Sequence, residues 1–191
     1  MKTIVMFTAC ALCAMLFCCK DKTSNPSPPP TDPDPSRIYV GESLSPGCDM
    51  GVNTSGDRTD WVENMSGFMR MSYPSGQSWG AVFITYGEPI DPPRPGWDCS
   101  DFDSLLVDLK SEVEGGRVEI GIKDNTDPDN GTETKILVSD LDTIWNTYSF
   151  ALESFRTADL TAIYVFAEFV FSGGNPQTVY FRNVKYTQNE E

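Results

Sequence analysis

The chain has 191 residues, 14 Lys and Arg against 28 Asp and Glu, no histidine, a formal net charge of −14 and a pI near 4.3. Without histidine, neither a Ser-His-Asp or Cys-His nucleophile pair nor a histidine-ligated zinc or haem can be built, and so acidic a chain repels phosphate backbones, so nucleic acid is not an expected partner. Aromatic residues at 12% are too many for a disordered acidic tail, and the length suits one domain with processed and linker segments.

Lys2 precedes an apolar stretch from Ile4 to Phe17, about the length of a signal-peptide core and too short to span a bilayer comfortably. It ends in Leu16-Phe17-Cys18-Cys19-Lys20, with Leu three residues before Cys19 and the small Cys18 just before it. This resembles a bacterial lipobox. The resemblance implies a signal peptide over residues 1–18, a diacylglycerol on the sulfur of Cys19, and an address in the cell envelope, at the outer membrane or cell surface. Plain secretion with an incidental cysteine pair is the alternative. Cys48 and Cys99 then remain, either as a disulfide closing a loop of about 50 residues or as two separately buried thiols. Residues 20–36 read KDKTSNPSPPPTDPDPS, with six prolines. Such a composition builds no core and makes 19–36 a semi-rigid tether.

From 37 to 187 no amphipathic helix is convincing. Short alternating runs bounded by Gly, Pro, Asp and Asn predict strands at 67–73, 79–86, 104–110, 117–124, 134–139, 147–152, 162–172 and 178–186. Such regular strand and turn signals predict an all-β jelly-roll sandwich of two antiparallel sheets; 188–191 is a C-terminal tail. The run DNTDPDNG at 124–131 lacks the glycine of a calcium-binding loop at the right place and reads as an acidic hairpin turn.

Period-two alternation sorts the faces. Met69, Met71, Val82, Ile84, Val118, Ile120, Ile122, Val165, Ala167, Phe169, Phe171, Val179 and Phe181 form the expected core, joined by Leu105, Val107, Leu109, Tyr148, Phe150 and Leu152. The opposite positions interleave aromatic and charged residues: Phe68, Arg70, Trp79, Phe83, Glu119, Lys123, Tyr164, Phe166, Glu168, Tyr180 and Arg182. Sugars present apolar C–H patches beside hydroxyls, which aromatic platforms flanked by charged groups suit. Arg70, Trp79, Glu119, Lys123, Glu168 and Arg182 are therefore the candidate ligand-binding residues. A face covered by loops, with Arg70 or Arg182 paired to Glu119 or Glu168, is the alternative. Trp61 and Trp97 read as loop plugs at the ends of the sandwich, and Trp145 as packing at a sheet edge.

The segments MRMSYPSGQSWGAVFIT at 69–85, VEIGIKD at 118–124, WNTYSF at 145–150 and TVYFRNV at 178–184 resemble a bacterial carbohydrate-binding module, of the galactose-binding-like jelly-roll type appended to glycoside hydrolases and nearest to family 11. The likeness spans 37–187. It implies a sandwich that binds a poly- or oligosaccharide on its concave face, plant-type polysaccharides being the expected class and other polysaccharide-utilisation proteins the expected company. It also implies a structural Ca2+ near the first and last strands, where Glu42 and Asn183 could supply oxygens. With only a lipid anchor in place of a catalytic domain, the membrane is contacted through that anchor alone.

Two other classes compete. A glycoside hydrolase would use Glu119 and Glu168 as its carboxylate pair, yet the nearby Lys123 is expected to depress an acid's pKa rather than raise it. A protein-binding scaffold or adhesin would use the same exposed aromatics. The reading settles on a non-catalytic glycan binder.

Overall fold

The computed structural model describes residues 31–188. In chain order its strands are β1 Tyr39–Val40, β2 Ser43–Leu44, β3 Cys48–Thr54, β4 Val62–Met65, β5 Phe68–Tyr73, β6 Trp79–Tyr86, β7 Ser104–Ser111, β8 Gly116–Asp124, β9 Lys135–Leu141, β10 Asn146–Ala151, β11 Ile163–Ser172 and β12 Gln177–Thr187. The eight from β5 onward fall on the predicted runs, within two residues at either end. The first four lie outside them. β1 and β2 are two residues each, and β3 carries Asp49, Gly51 and Asn53, residues that strand propensity disfavours.

All pairings between these strands are antiparallel, and they form the expected jelly-roll sandwich. The larger sheet runs β10-β7-β12-β1-β2, with β5 also on β12 and β4 on β5; the smaller runs β3-β6-β11-β8-β9. Every predicted core residue is buried except Tyr148, which is half-buried. Phe169 of β11 stacks on Phe181 of β12 with ring centroids 4.2 Å apart, locking the two sheets at the centre. Trp61 is buried at one end, edge-on to Tyr73 at 5.8 Å and to Phe171 at 5.5 Å. Trp97 meets Tyr86 edge-on at 5.5 Å. Both loop tryptophans are therefore packing residues. Phe166 departs from strict alternation: a bulge between Val165 and Ala167 turns it inward, where it is buried against Tyr186, whose hydroxyl donates to its carbonyl at 2.9 Å.

The linker ends earlier than the composition suggests. Pro33 and Pro35 are buried, and the Asp34 N–H donates to Ser45 Oγ at 3.0 Å. Gly47, at φ +77°, leaves room for the Thr31 carbonyl, which an added Cβ would meet at 1.8 Å. So 31–36 packs on the domain, and only 19–30 of the expected tether lies outside the described residues, together with the signal segment and Cys19. Of the two readings left open for Cys48 and Cys99, the structure has the free thiols, and burial pushes the pKa of each up to about 12. At that value both stay protonated at neutral pH and unreactive.

Candidate functional site

A sandwich has two outward faces, and the structure distributes the candidate ligand residues over both. Alternation shows which side chains point away from the core but not which sheet their strand joins. Arg70 on β5 and Arg182 on β12 belong to the larger sheet, whereas Trp79 on β6, Glu119 and Lys123 on β8 and Glu168 on β11 belong to the smaller. The single basic and aromatic face expected from the sequence is thus split, and the cations pair locally. Arg70 meets Glu63 at 3.1 Å, and Arg182 Nε meets Asp108 at 3.0 Å.

On the smaller sheet, register lines the outward side chains in rows. The first is Asn53, Ala81, Val170, Glu119 and Leu137 across β3, β6, β11, β8 and β9. The second is Gly51, Phe83, Glu168, Gly121 and Lys135. The third brings Asp49, Thr85, Val165 and Lys123 together. Trp79 stands at the start of β6, opposite Ser172, and is 41% exposed.

Small residues in this surface make room for neighbours. The Phe83 ring lies against Gly51, where an added Cβ would come within 2.2 Å of it, and Glu168 Oε2 lies over Gly121, 3.2 Å from the position of a Cβ. Gly51→Ala is expected to displace the Phe83 ring and to lower stability by about 1–3 kcal/mol through overpacking. Thermal melts followed by circular dichroism check this; an unshifted melt would show that the ring swings aside freely.

The third row ends in a buried charge network. Lys123 Nζ is 3.3 Å from Glu168, 3.5 Å from Glu133 and 3.5 Å from Asp129, and Lys135 meets Glu133 at 2.6 Å. Arg94 pairs with Asp129, donates to the Asp127 carbonyl at 3.2 Å and lies over the Tyr164 ring. The β6–β7 and β8–β9 connections are thereby strapped together over this end of the face. The acidic 124–131 run serves that purpose, with Asp124 and Asp127 also capping their own turn.

Lys123 and Glu168, expected as ligand contacts, are consequently buried beneath the loops, with Glu168 only 5% exposed. Burial pushes the Glu168 carboxyl up to about 7, outweighing Lys123, which depresses it as a neighbouring cation should. Burial alone would lower Lys123, but Glu168, Glu133, Asp127 and Asp129 outweigh it and hold the ammonium above its ordinary value.

A group whose folded pKa is raised stabilises below its unfolded pKa and loses that contribution as pH rises through the folded one. For Glu168 the window runs from about 4.5 to about 7. Glu168→Gln is therefore expected to gain stability relative to wild type between pH 5 and 8, by about 5 °C in melting temperature. A difference that does not change with pH would contradict this.

What stays open on the smaller sheet is Trp79, Glu119, Asn53, Asp49 and the edge residues Lys135 and Leu137, all exposed or half-buried. Trp79 and Glu119 are legible from sequence. Asn53 and Asp49 are not, because β3 has no apolar alternation to mark it. Of the residues expected to hold calcium, the Glu42 carboxylate accepts from Ser66 Oγ at 2.7 Å and the Asn183 amide donates to Asp108 at 2.8 Å, so each is engaged by a protein partner. No group of three or more Asp, Glu or Cys among the described residues could hold a metal ion.

No family model matches the chain, and comparison with curated proteins returns no match. Solved structures do match. A family 29 carbohydrate-binding module complexed with mannohexaose superposes at a TM-score of 0.53 with 18% identity, over 79% of this chain and 89% of that one. A family 11 module from Clostridium thermocellum, in complex with a β-1,3-1,4-mixed-linked tetrasaccharide, superposes at 0.50 with 16% identity, over 76% and 86%. The fold is that of a carbohydrate-binding module. At such identities the likeness extends to the fold alone.

Proposed function

We propose that this protein binds a neutral poly- or oligosaccharide on the outer face of the smaller sheet and performs no chemistry on it. The observation that carries the reading is Trp79, a large aromatic ring 41% exposed on a sheet face beside the polar row of Asn53 and Glu119, which separates it from Phe83. A pyranose can stack its C–H face on such a ring while its hydroxyls meet the amide and carboxylate. The two structural neighbours named above hold mannohexaose and a β-1,3-1,4-mixed-linked tetrasaccharide, which supports plant-type glycans as the first ligands to try.

Catalysis is left out on geometric grounds. A hydrolase needs two carboxylates flanking a cleft that admits substrate. Glu168, the acid with the raised pKa, is sealed under Lys123 and the strapped loops, while Glu119 stands two positions away along β8 from Gly121, the residue opposite Glu168.

The proposal also takes Cys19 as the site of a lipid anchor, with the Pro-rich stretch as tether, holding the domain at the cell surface. Partner proteins of polysaccharide utilisation would then share its substrate rather than its fold.

Affinity gel electrophoresis of the purified protein through mannan, mixed-linked β-glucan and xylan tests the binding. Retardation by at least one polymer is expected. Silence across all three would favour a protein-binding scaffold, for which Trp79 and Leu137 would be the exposed anchors.

A further inference from the structure

The outer face of the larger sheet holds a second surface that the reading above does not use. Register places Glu63, Arg70, Tyr180 and Lys110 in one row across β4, β5, β12 and β7. Phe68 stands edge-on to Tyr180 at 5.7 Å and to Trp145 at 5.8 Å, so three rings from separate parts of the chain meet at this row. Trp145 does more here than pack at a sheet edge.

Cations sit among the rings. Lys110 Nζ is 4.9 Å from the Tyr180 centroid and 5.1 Å from that of Trp145, and the Arg182 guanidinium lies 4.4 Å from the Trp145 ring. Attraction to the ring faces holds both in place. All six of Phe68, Arg70, Lys110, Trp145, Tyr180 and Arg182 are half-buried, so each keeps part of its side chain open to solvent.

The local charge is far less negative than that of the whole chain. Arg70, Lys110 and Arg182 stand beside Glu63 and Asp108, which take Arg70 and Arg182 respectively, and Glu112, which lies near enough to act on Arg70. Lys110 forms no ion pair among the described residues, and Arg70 Nε is buried and donates to nothing there. In 0.15 M salt the screening length is about 8 Å. An approaching carboxylate therefore meets this local set of charges and not the chain's total of −14.

Rings that accept a pyranose C–H face, beside an unpaired ammonium and guanidinium groups that can bind a carboxylate, describe one ligand class. We propose that this face binds glycans carrying uronic-acid residues, independently of the Trp79 face. The two surfaces then lie on opposite sides of the sandwich and differ in the charge of the sugar they accept.

Calorimetric titration of the full protein with tetragalacturonate and, separately, with mannohexaose tests this. Tetragalacturonate is expected to bind wild type, to weaken when NaCl is raised to 0.5 M, and to weaken at least about tenfold in Lys110→Met and in Trp145→Ala, with Trp79→Ala unchanged. Melting curves establish that both variants fold, and Lys110→Met, which truncates no ring, carries the test should Trp145→Ala not fold. Absence of tetragalacturonate binding while mannohexaose binds would overturn this inference and leave the neutral-glycan reading standing. Tetragalacturonate binding that is lost in Trp79→Ala, or intact in Lys110→Met, would overturn it too. Tetragalacturonate binding without any neutral ligand would support it and count against the other reading.

Discussion

Trp79→Ala is expected to weaken binding of the neutral oligosaccharide by about 10- to 100-fold while leaving the melting temperature within about 2 °C of wild type. The indole is 41% exposed at the first residue of β6, so its removal opens no cavity in the core. In a complex the same ring would lose its contact with a sugar face, and about 1.5–3 kcal/mol of burial corresponds to that range of affinity. Titration with mannohexaose and a mixed-linked tetrasaccharide, run beside thermal melts, separates the two effects. If wild type binds and the variant binds equally well, the sugar lies elsewhere. A melting temperature that collapses would make Trp79 a packing residue.

Lys123→Met is expected to be the most damaging single change outside the aromatic core, about 3–5 kcal/mol at pH 7. That amounts to roughly 10 °C in a chain of this size. The lysine is the common partner of Glu168, Glu133 and Asp129, and two of those carboxylates are themselves buried. Removing the cation leaves Glu168 with no ion-pair partner among the described residues, whereas Glu133 keeps Lys135 and Asp129 keeps Arg94. In the variant Glu168 would titrate still further above its unfolded value, so its contribution is retained below about pH 4.5 and lost as pH rises. The deficit against wild type should therefore be small near pH 4.5 and largest above pH 7. Denaturant unfolding across that range measures it. A deficit under about 1 kcal/mol at pH 8 would mean that the strapped loops hold without Lys123.

The half of the fold built on apolar alternation was legible in the sequence. β5, β6, β8, β11 and β12 read as strands because Met, Val, Ile and Phe recur at every second position. β3 did not, because its outward positions are Asp49, Gly51 and Asn53, and Gly51 is required by the Phe83 ring of the neighbouring strand, a contact that no local pattern records. Phe166 was misplaced for a similar reason: an inserted bulge shifts the period by one.

The site was legible in part. Trp79 and Glu119 stand on an open face, as their alternation suggested. Arg70 and Arg182 alternate just as clearly yet belong to the other sheet, since period two carries no information on strand order. Lys123 and Glu168 lie on the expected face, but two long connections, joined by Arg94 and Asp129, close over them. Arg94 sits in a Pro-rich loop, where its partner across the sandwich end could not be inferred from spacing.

The position of β12 has a consequence for how the molecule is made. β1, β5 and β7 all pair with it, and it spans Gln177–Thr187, after every other strand among the described residues. Until those eleven residues leave the ribosome, the larger sheet has no centre and Phe169 has no Phe181 to stack on. Pairings so distant in sequence are slow to form. The larger sheet is thus the last part of the sandwich to close, after all five strands of the smaller sheet have been made.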